Sequence, residues 1–265
     1  MTDGPPANGV RPRPPAPVPP LTRRLVAEFV GTALLVAGVV GSGIMAQRLS
    51  TDPGLQLLQN TAATAGVLVA LILALGPASG AHFNPAVTIA DRVFGGIDTR
   101  TAAAYVAAQV PGAIAGAVLA NLMFDLPAVA WSTTDRSAGH LWLAEGVATL
   151  GLLLVIFGVV RSGRASAAAF AVAGYIAGAY YFTSSTSFAN PAVTIGRAFS
   201  DTFAGIEPAS VPGFVAAQLA GTAVAVGLIV VIYPTVHEVA DQVVVPHGDT
   251  SGTRTDDAAG SAHRR

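Results

Sequence analysis

The sequence predicts an all-α membrane protein that is an inverted repeat of two three-helix halves, with six transmembrane helices and two re-entrant half-helices. Two observations carry this prediction. The chain contains six apolar stretches, each near the roughly 17–25 residues that a helix needs to cross a bilayer. The hexapeptide Asn84–Ile89 also returns unchanged as Asn190–Ile195, 106 residues later, and its copies follow the second and the fifth apolar stretch.

The composition of the chain supports a membrane location. Hydrophobic residues make up 52% of the 265 residues and charged residues 11%, whereas ordinary soluble domains contain about 25% charged residues. A soluble fold would have too little polar surface to cover this apolar material. The net charge of −1 and the absence of a basic cluster argue against a nucleic-acid partner. The lack of cysteine excludes disulfides, thiolate metal sites and cysteine nucleophiles.

In chain order, the predicted elements are a tail, six membrane spans and a second tail. Residues 1–20 contain eight prolines, so we expect a disordered cytoplasmic tail there, and residues 246–265 are polar enough to form another. The membrane domain is predicted at 21–240, with repeat halves at about 25–124 and 141–233. The six predicted spans are Leu25–Gln47, Leu55–Gly76, Ala102–Phe124, Leu141–Val160, Ala165–Phe182 and Gly213–Tyr233.

Each copy of the hexapeptide predicts the start of a short helix. Asparagine, as at Asn84 and Asn190, is a favoured helix N-cap, and proline, as at Pro85 and Pro191, is a favoured first helical residue. From Asn84 the helical pattern can run to about Phe94. Ten residues at about 1.5 Å each span about 15 Å, which is half of a hydrocarbon core about 30 Å thick. Each copy is therefore predicted to be a half-helix that begins near the membrane midplane.

The two halves match beyond the hexapeptide. Ala27-Glu28 in the first span is matched by Ala144-Glu145 in the fourth, and Val106–Gln109 in the third recurs as Val215–Gln218 in the sixth. Because each half has three full crossings, the second half must enter the membrane inverted relative to the first. Solute sites in inverted repeats lie at the midplane between the halves. We expect the two half-helices to meet there, N-terminus to N-terminus.

The arginines predict the orientation of the chain. With both termini in the cytoplasm, eleven arginines fall on the inner face and only Arg48, Arg136 and Arg197 on the outer face. Cytoplasmic loops of membrane proteins carry an excess of basic residues. We therefore expect a multi-pass protein of the cell (inner) membrane with both termini cytoplasmic.

The residues of the two repeated motifs are the first candidate site. As N-caps, Asn84 and Asn190 accept hydrogen bonds through Oδ1, which leaves their NH2 groups free to face the junction. Each helix N-terminus adds about half a positive charge. Such a junction would pass neutral polar molecules and repel cations, and it has no parts for catalysis, so we expect neither an enzyme nor a metal or cofactor. The predicted pore motifs are Asn84, Pro85, Ala86, Asn190, Pro191 and Ala192.

Five further polar residues in or beside the predicted spans need an explanation. Glu28 and Glu145 permit two interpretations, proton coupling or acceptance of hydrogen bonds from the irregular backbone that leads into the half-helices. Their symmetry-related positions favour the structural interpretation. We expect His82 to be a hydrogen-bonded packing residue, because no second histidine or carboxylate stands at metal-site spacing. Gln109 and Gln218 are predicted to form hydrogen bonds between helices.

Together these features resemble one known family. The segment Ser79–Thr88, the second motif Asn190–Ala192 and the paired glutamates are similar to the aquaporin and glycerol-facilitator family, also called the major intrinsic proteins. The resemblance covers about Leu25 to Tyr233. It implies a homotetramer in membrane lipid, with one pore per subunit, that passes small uncharged solutes passively.

One position departs from the family's pattern. The family typically carries arginine directly after the second Asn-Pro-Ala motif, at the narrowest part of the pore, and this chain has Val193 there. Counted back without gaps, the other constriction positions fall on Thr64, Gly178 and Ser187, a small and uncharged set that predicts a wide filter. In this respect the chain resembles bacterial members associated with arsenic resistance. That resemblance implies arsenous acid or similar metalloid hydroxides as solutes, with glycerol, urea and water as further expected solutes.

Three other interpretations stay open. In the first, Val193 has no special meaning and the chain is a general water, glycerol and urea channel. In the second, the chain is a secondary transporter, because such proteins also use inverted repeats and broken helices. Its coupling site would have to use Glu28, Glu145 or His82. In the third, the chain is a non-conducting structural membrane protein, which swelling of solute-loaded vesicles would exclude.

Overall fold

The structure is a computed structural model that describes residues 18–234, and these residues contain helices and loops but no β-strand. Apart from residues 18–20, the two predicted tails lie outside the described residues, as do residues 235–240 of the predicted membrane domain. The described part contains eight α-helices: α1 (Leu21–Leu49), α2 (Pro53–Ser79), α3 (Pro85–Phe94), α4 (Thr99–Met123), α5 (Gly139–Arg161), α6 (Ala168–Phe182), α7 (Pro191–Arg197) and α8 (Val211–Ile232). Short 3-10 turns at Ala165–Ala167 and Pro208–Ser210 lead into α6 and α8.

Six segments of the described chain are long and apolar enough to cross a membrane. They are α1, α2, α4, α5, and α6 and α8 with their preceding turns, and each coincides with one predicted span. The all-α fold with six spanning helices is therefore confirmed. Several helices extend past the apolar stretch by two to four residues, because polar residues at a membrane interface continue a helix as readily as apolar ones.

The two short helices occupy the places that the repeated hexapeptide predicts. In α3 the side chain of Asn84 accepts a hydrogen bond from the backbone N–H of Ala86 at 2.9 Å. In α7 Asn190 accepts from Ala192 in the same way at 3.0 Å. Proline follows both caps, at the first helical position. An N–H group there has no acceptor within the helix, so proline, which lacks this group, costs no hydrogen bond. The helix α3 has the ten residues expected, whereas α7 has only seven and ends at Arg197.

The long helices of each half approach closely through glycine. A Cβ atom at Gly112 of α4 would lie 2.5 Å from the carbonyl oxygen of Phe29 in α1. In the second half a Cβ at Gly221 of α8 would collide with the carbonyl oxygen of Gly146 in α5. The α1–α4 and α5–α8 contacts are thus equivalent, and both need a residue without a side chain. Gly178 of α6 is different, because nothing lies within 4 Å of a Cβ added there.

The half-helices lie inside the bundle of long helices. Val87, Ala90 and Phe94 of α3 are buried in one apolar cluster with residues of α1 and α5. The ring of Phe94 packs edge-to-face on Phe157 of α5, with centroids 4.7 Å apart. This enclosure positions the N-termini of α3 and α7 in the interior of the protein.

Candidate functional site

An elongated cavity runs past the N-termini of both half-helices. Its wall on α6 is formed by Ala168, Val172, Ile176 and Tyr180, which are four residues apart and share one helix face. Twelve residues of helix correspond to about 18 Å, so the cavity follows α6 over much of its length. Most of the lining is apolar. The polar lining residues are Thr64, His82, Asn84, Tyr180, Ser187, Asn190 and Arg197.

The two motif asparagines link the halves of the repeat. Nδ2 of Asn84 donates a hydrogen bond to the carbonyl oxygen of Ala189 at 2.8 Å. Nδ2 of Asn190 donates to the carbonyl oxygen of Phe83, also at 2.8 Å. Each asparagine therefore binds the residue that directly precedes the other one. The sequence predicts that both N–H groups of each amide are free, but one of them crosses to the opposite half and one remains for the cavity.

The backbone that leads into each half-helix adopts the same unusual conformation in both halves. Ala81 and Phe83 have φ angles of 51° and 48°, and Ser187 and Ala189 have φ angles of 50° and 48°. This left-handed conformation costs roughly 1–2 kcal/mol of conformational energy for each residue that has a side chain. Such a segment turns its N–H groups away from regular helical partners, so they need other acceptors in a membrane.

Glu28 is the acceptor for the segment before α3. Its carboxylate accepts from the backbone N–H groups of His82 at 3.0 Å and Phe83 at 2.7 Å. It also accepts from Oγ of Ser79 at 2.6 Å and from Nε2 of Gln109 at 2.8 Å. Four donors around one fully buried carboxylate form a satisfied site.

Glu145 has the equivalent role before α7. Its carboxylate accepts from the backbone N–H groups of Phe188 and Ala189, each at 2.8 Å, and from Nε2 of Gln218 at 2.7 Å. Gln218 also donates to Oγ1 of Thr194 at 2.8 Å, as Gln109 does to Thr88. Neither glutamate lines the cavity. These contacts favour the structural interpretation of the two glutamates over proton coupling.

His82 lines the cavity and has a partner that the sequence alone does not reveal. Nδ1 lies 3.1 Å from Oγ1 of Thr88, and Nε2 lies 3.4 Å from Oδ2 of Asp91. The imidazole also packs edge-to-face on Tyr105, with centroids 5.3 Å apart. Asp91 is buried in α3, three residues after Thr88 and on the same face. The helical period of α3 was the signal that could have identified it.

Three of the four predicted filter residues, Thr64, Ser187 and Val193, line the cavity. Gly178 does not, because it is exposed on the opposite face of α6. Tyr180 of the same helix lines the cavity instead, and its hydroxyl lies 3.2 Å from Oγ1 of Thr64. The gapless count missed the cavity face because two residues rotate a helix by about 200°. The spacing of the lining residues of α6 is the signal that identifies Tyr180.

Tyr180 places a phenol ring on the cavity wall, whereas the predicted set has a glycine, which has no side chain. The four residues Thr64, Tyr180, Ser187 and Val193 remain uncharged. The hydroxyl of Ser187 is buried and has no hydrogen-bond partner within the described residues.

Arg197 is the second lining residue that the sequence alone does not reveal. By its place in the sequence, Arg197 belongs to the three outer-face arginines. In the structure it is the last residue of α7, is only 2% exposed and lines the cavity. The signal was its position four residues after Val193, which places both side chains on one helix face.

Comparison with known proteins agrees with this architecture. The family model for the major intrinsic proteins matches residues 18–169. The chain is 54% identical over 208 residues to aquaglyceroporin AqpS of Rhizobium meliloti (strain 1021), which covers 78% of this chain and 89% of that protein. It is 36% identical over 194 residues to aquaporin-2 of Homo sapiens, which covers 66% of this chain and 69% of that protein.

A solved structure supports the fold. The X-ray structure of the aquaglyceroporin from Plasmodium falciparum matches with a TM-score of 0.62 at 22% identity, covering 82% of this chain and 99% of that one. The resemblance seen in the repeated motifs is confirmed by a family model over more than half of the chain and by a relative with the same overall extent. This chain belongs to the major intrinsic protein family.

Proposed function

We propose that this chain is a passive channel of the aquaglyceroporin type, which conducts small uncharged solutes such as glycerol. The observation that carries the proposal is the cavity, which passes both half-helix N-termini and presents a few hydrogen-bonding groups on an apolar wall. The names of its relatives, aquaglyceroporin AqpS and aquaporin-2, support the same class. The family is one of channels and transporters, not of enzymes.

The proposed filter suits a solute with one polar and one apolar side. Thr64, Tyr180 and Ser187 offer hydroxyl groups, and Val193 offers an apolar surface to the same cavity. Glycerol has hydroxyls along a short carbon chain, so it can exchange water for these hydroxyls while its carbons contact Val193. A solute passes through a narrow pore when groups on the wall replace its hydrogen bonds to water at a low cost in free energy.

The junction of the half-helices is proposed to exclude cations. One N–H group of Asn84 and one of Asn190 remain for a solute oxygen after the cross-links between the halves are made. The two helix N-termini add partial positive charge at the same point. Neutral solutes that accept hydrogen bonds are favoured there, and cations are not.

We further propose arsenous acid and similar metalloid hydroxides as solutes. Arsenous acid is a small neutral molecule with three hydroxyls, so it presents the same hydrogen-bonding pattern as glycerol. The uncharged filter with Val193 supports this solute. The alternative is a general channel in which water, glycerol and urea pass with similar ease.

We also propose where the protein lies in the cell and how its subunits assemble. We place the chain in the inner membrane with both termini cytoplasmic, as a homotetramer with one pore per subunit. The arginine distribution supports the orientation, since Arg23, Arg24, Arg161 and Arg164 lie at helix ends on the proposed inner face. Residues 1–20 and 246–265 would flank a channel domain at 21–240.

A secondary transporter is the second candidate, and one observation favours it. His82 faces the cavity beside the Asp91 carboxylate, which is the kind of pair that proton coupling uses. Purified protein in proteoliposomes separates the candidates. A channel passes glycerol, urea, arsenite and water down their gradients and ignores an imposed proton or sodium gradient. Uphill accumulation driven by either ion would establish the transporter, and flux no greater than in empty liposomes would establish a non-conducting protein.

A further inference from the structure

Arg197 lies on the cavity wall one helical turn beyond Val193. Both residues belong to α7 and both line the cavity. Four residues advance an α-helix by about 6 Å and return to nearly the same face. Because α7 begins directly after its N-cap Asn190, Arg197 is further from the junction of the half-helices than Val193 is. Of the cavity-lining side chains within residues 18–234, only that of Arg197 carries a permanent charge.

Two contacts hold the guanidinium group in place. Nε of Arg197 donates a hydrogen bond to the carbonyl oxygen of Ala204. Cζ lies 3.3 Å from the centroid of the Phe188 ring, so the guanidinium stacks on this aromatic side chain. Phe188 is fixed in turn by an edge-to-face contact with Phe214, with centroids 5.1 Å apart. A side chain held in this way keeps its charge at a defined point of the cavity.

The terminal nitrogens of Arg197 are available to a solute. Arginine carries five N–H donors. Within the described residues the Arg197 guanidinium makes one hydrogen bond, through Nε, and its terminal nitrogens are not among the fully buried polar atoms. Their four N–H groups therefore have access to the cavity, where the oxygen atom of a solute or of water can accept from them.

The positive charge at this end of the cavity is not neutralised within the described residues. Arg136 lies near the same aromatic ring, with Cζ 5.0 Å from the Phe188 centroid. It donates through Nε to the carbonyl oxygen of Gly205 at 3.0 Å. Burial lowers the pKa of the Arg136 guanidinium, and Glu145 acts in the opposite direction. Neither arginine forms an ion pair with a described carboxylate, and Glu145 accepts from backbone N–H groups and from Gln218.

We propose that Arg197 is the charge-selective residue of this pore, displaced by one helical turn from the position of Val193. This inference rests on the proposed channel function and deepens it. The displacement divides two tasks that one residue would otherwise perform. Val193 leaves the narrow part uncharged, and Arg197 repels cations at the mouth and donates hydrogen bonds to the oxygens of neutral polyhydroxyl solutes.

The simplest alternative is that Arg197 only anchors the segment around Ala204. Substitution of an anchor would lower assembly or all fluxes together, but it would not change the charge preference of the pore. Charge selectivity is therefore the informative measurement, and neutral-solute flux in the same preparation reports on folding.

The experiment compares Arg197→Met, Arg197→Lys and Arg48→Met in reconstituted membranes. Arg48 is a matched control because it also binds a carbonyl oxygen and an aromatic ring, both of Phe124, but is exposed and does not line the cavity. We expect Arg197→Met to raise potassium conductance about tenfold, which corresponds to about 1.4 kcal/mol of lost repulsion, and to shift the reversal potential towards potassium. Arg197→Lys keeps the charge and should keep cation exclusion, and Arg48→Met should behave as the unmodified protein.

The results distinguish a failure of the proposed Arg197 role from a failure of the proposed channel function. Unchanged potassium exclusion in an Arg197→Met protein that still conducts glycerol would overturn the role of Arg197 and leave the channel intact. Absence of glycerol flux in the unmodified protein would overturn the channel itself.

A second measurement uses the unmodified protein and does not depend on the folding of a variant. Butanedione, a small reagent for guanidinium groups, should modify Arg197 in proteoliposomes, and high glycerol should slow this reaction by several fold. Modification of Arg48 should not respond to glycerol, and peptide mass spectrometry reads both positions. Arg197 that stays unmodified while Arg48 reacts would overturn the proposal.

Discussion

The side-chain amide of Asn84 donates to the carbonyl oxygen of Ala189, the residue directly before the second motif asparagine, at 2.8 Å. Asn190 and Phe83 form the reciprocal bond. The motif asparagines are therefore both helix caps and cross-links between the two halves. An asparagine is suited to this combination because one end of its amide accepts and the other donates.

Changing Asn84 or Asn190 to aspartate tests this double role. Aspartate keeps an oxygen for the cap but removes the donor to the opposite loop and can add negative charge. We expect lower glycerol flux and a measurable cation leak in each variant, because a carboxylate would face the carbonyl oxygen of Ala189 or Phe83. Flux in proteoliposomes and current in voltage-clamped bilayers provide the readouts. Normal flux without leak in both variants would show that the asparagines do not line the pore.

Replacement of Glu145 by glutamine tests the structural interpretation of the buried glutamates. Glutamine offers one acceptor oxygen, whereas the three donors from Phe188, Ala189 and Gln218 use both carboxylate oxygens. An NH2 group would face an N–H group, so we expect a loss of about 3 kcal/mol in stability. Thermal unfolding in detergent should show a lower midpoint for Glu145→Gln. Glu207→Gln is the control, since Glu207 lies in a loop and makes no side-chain hydrogen bond within the described residues.

One result would contradict the structural role of Glu145. A Glu145→Gln protein as stable as the unmodified one, with solute flux that loses a dependence on the proton gradient, would support proton coupling instead. The same comparison at Glu28 should give an equal or larger loss of stability, because Glu28 accepts from four donors.

Features that depend on local sequence could be predicted. The caps at Asn84 and Asn190 follow from the preference of asparagine for N-caps and of proline for the next residue. The expectation that Glu28 and Glu145 accept hydrogen bonds from the backbone before each half-helix follows from their matched positions in the repeat. Both inferences use only spacing along the chain.

Features that depend on helix rotation or on long-range contacts could not be predicted. Gly178 and Tyr180 differ by two residues, and only the packing of α6 decides which of them faces the cavity. In the sequence Arg197 resembles an interfacial arginine, and only the structure shows its contacts with the Phe188 ring and the carbonyl oxygen of Ala204. The bonds from the asparagines to the opposite loop join residues more than 100 positions apart, which no local pattern encodes.

The contact between α5 and α8 predicts a different response at two glycines of one helix. A Cβ at Gly221 would collide with the carbonyl oxygen of Gly146, whereas nothing lies within 4 Å of a Cβ at Gly227. We expect Gly221→Ala to separate the helices and lower the unfolding temperature, and to cost roughly 1–3 kcal/mol. Gly227→Ala should be neutral or slightly stabilising, because alanine is the better helix former. Equal midpoints for the two variants would mean that the helices do not approach as closely as this.

Val193→Arg tests whether Val193 stands at the narrow part of the pore. The change adds bulk, five N–H donors and a permanent charge to the cavity wall, one turn from Arg197. Glycerol and arsenite should meet a steric barrier, and we expect their uptake to fall at least about tenfold, or about 1.4 kcal/mol, while water permeability falls far less. Repulsion from Arg197 and burial of the new charge can cost several kcal/mol, so assembly must be measured first.

Val193→Met separates bulk from charge in this test. Methionine is longer than valine but shorter than arginine, and it has neither charge nor N–H donors. If size alone limits glycerol, methionine should also reduce glycerol uptake, although less than arginine does. If charge and donors matter, arginine should in addition strengthen cation exclusion, above all in the Arg197→Met background, where the mouth has lost its own guanidinium. Unchanged arsenite and glycerol uptake in a correctly assembled Val193→Arg protein would place the narrow part elsewhere, and an equal loss of water, glycerol and arsenite flux would indicate a blocked pore.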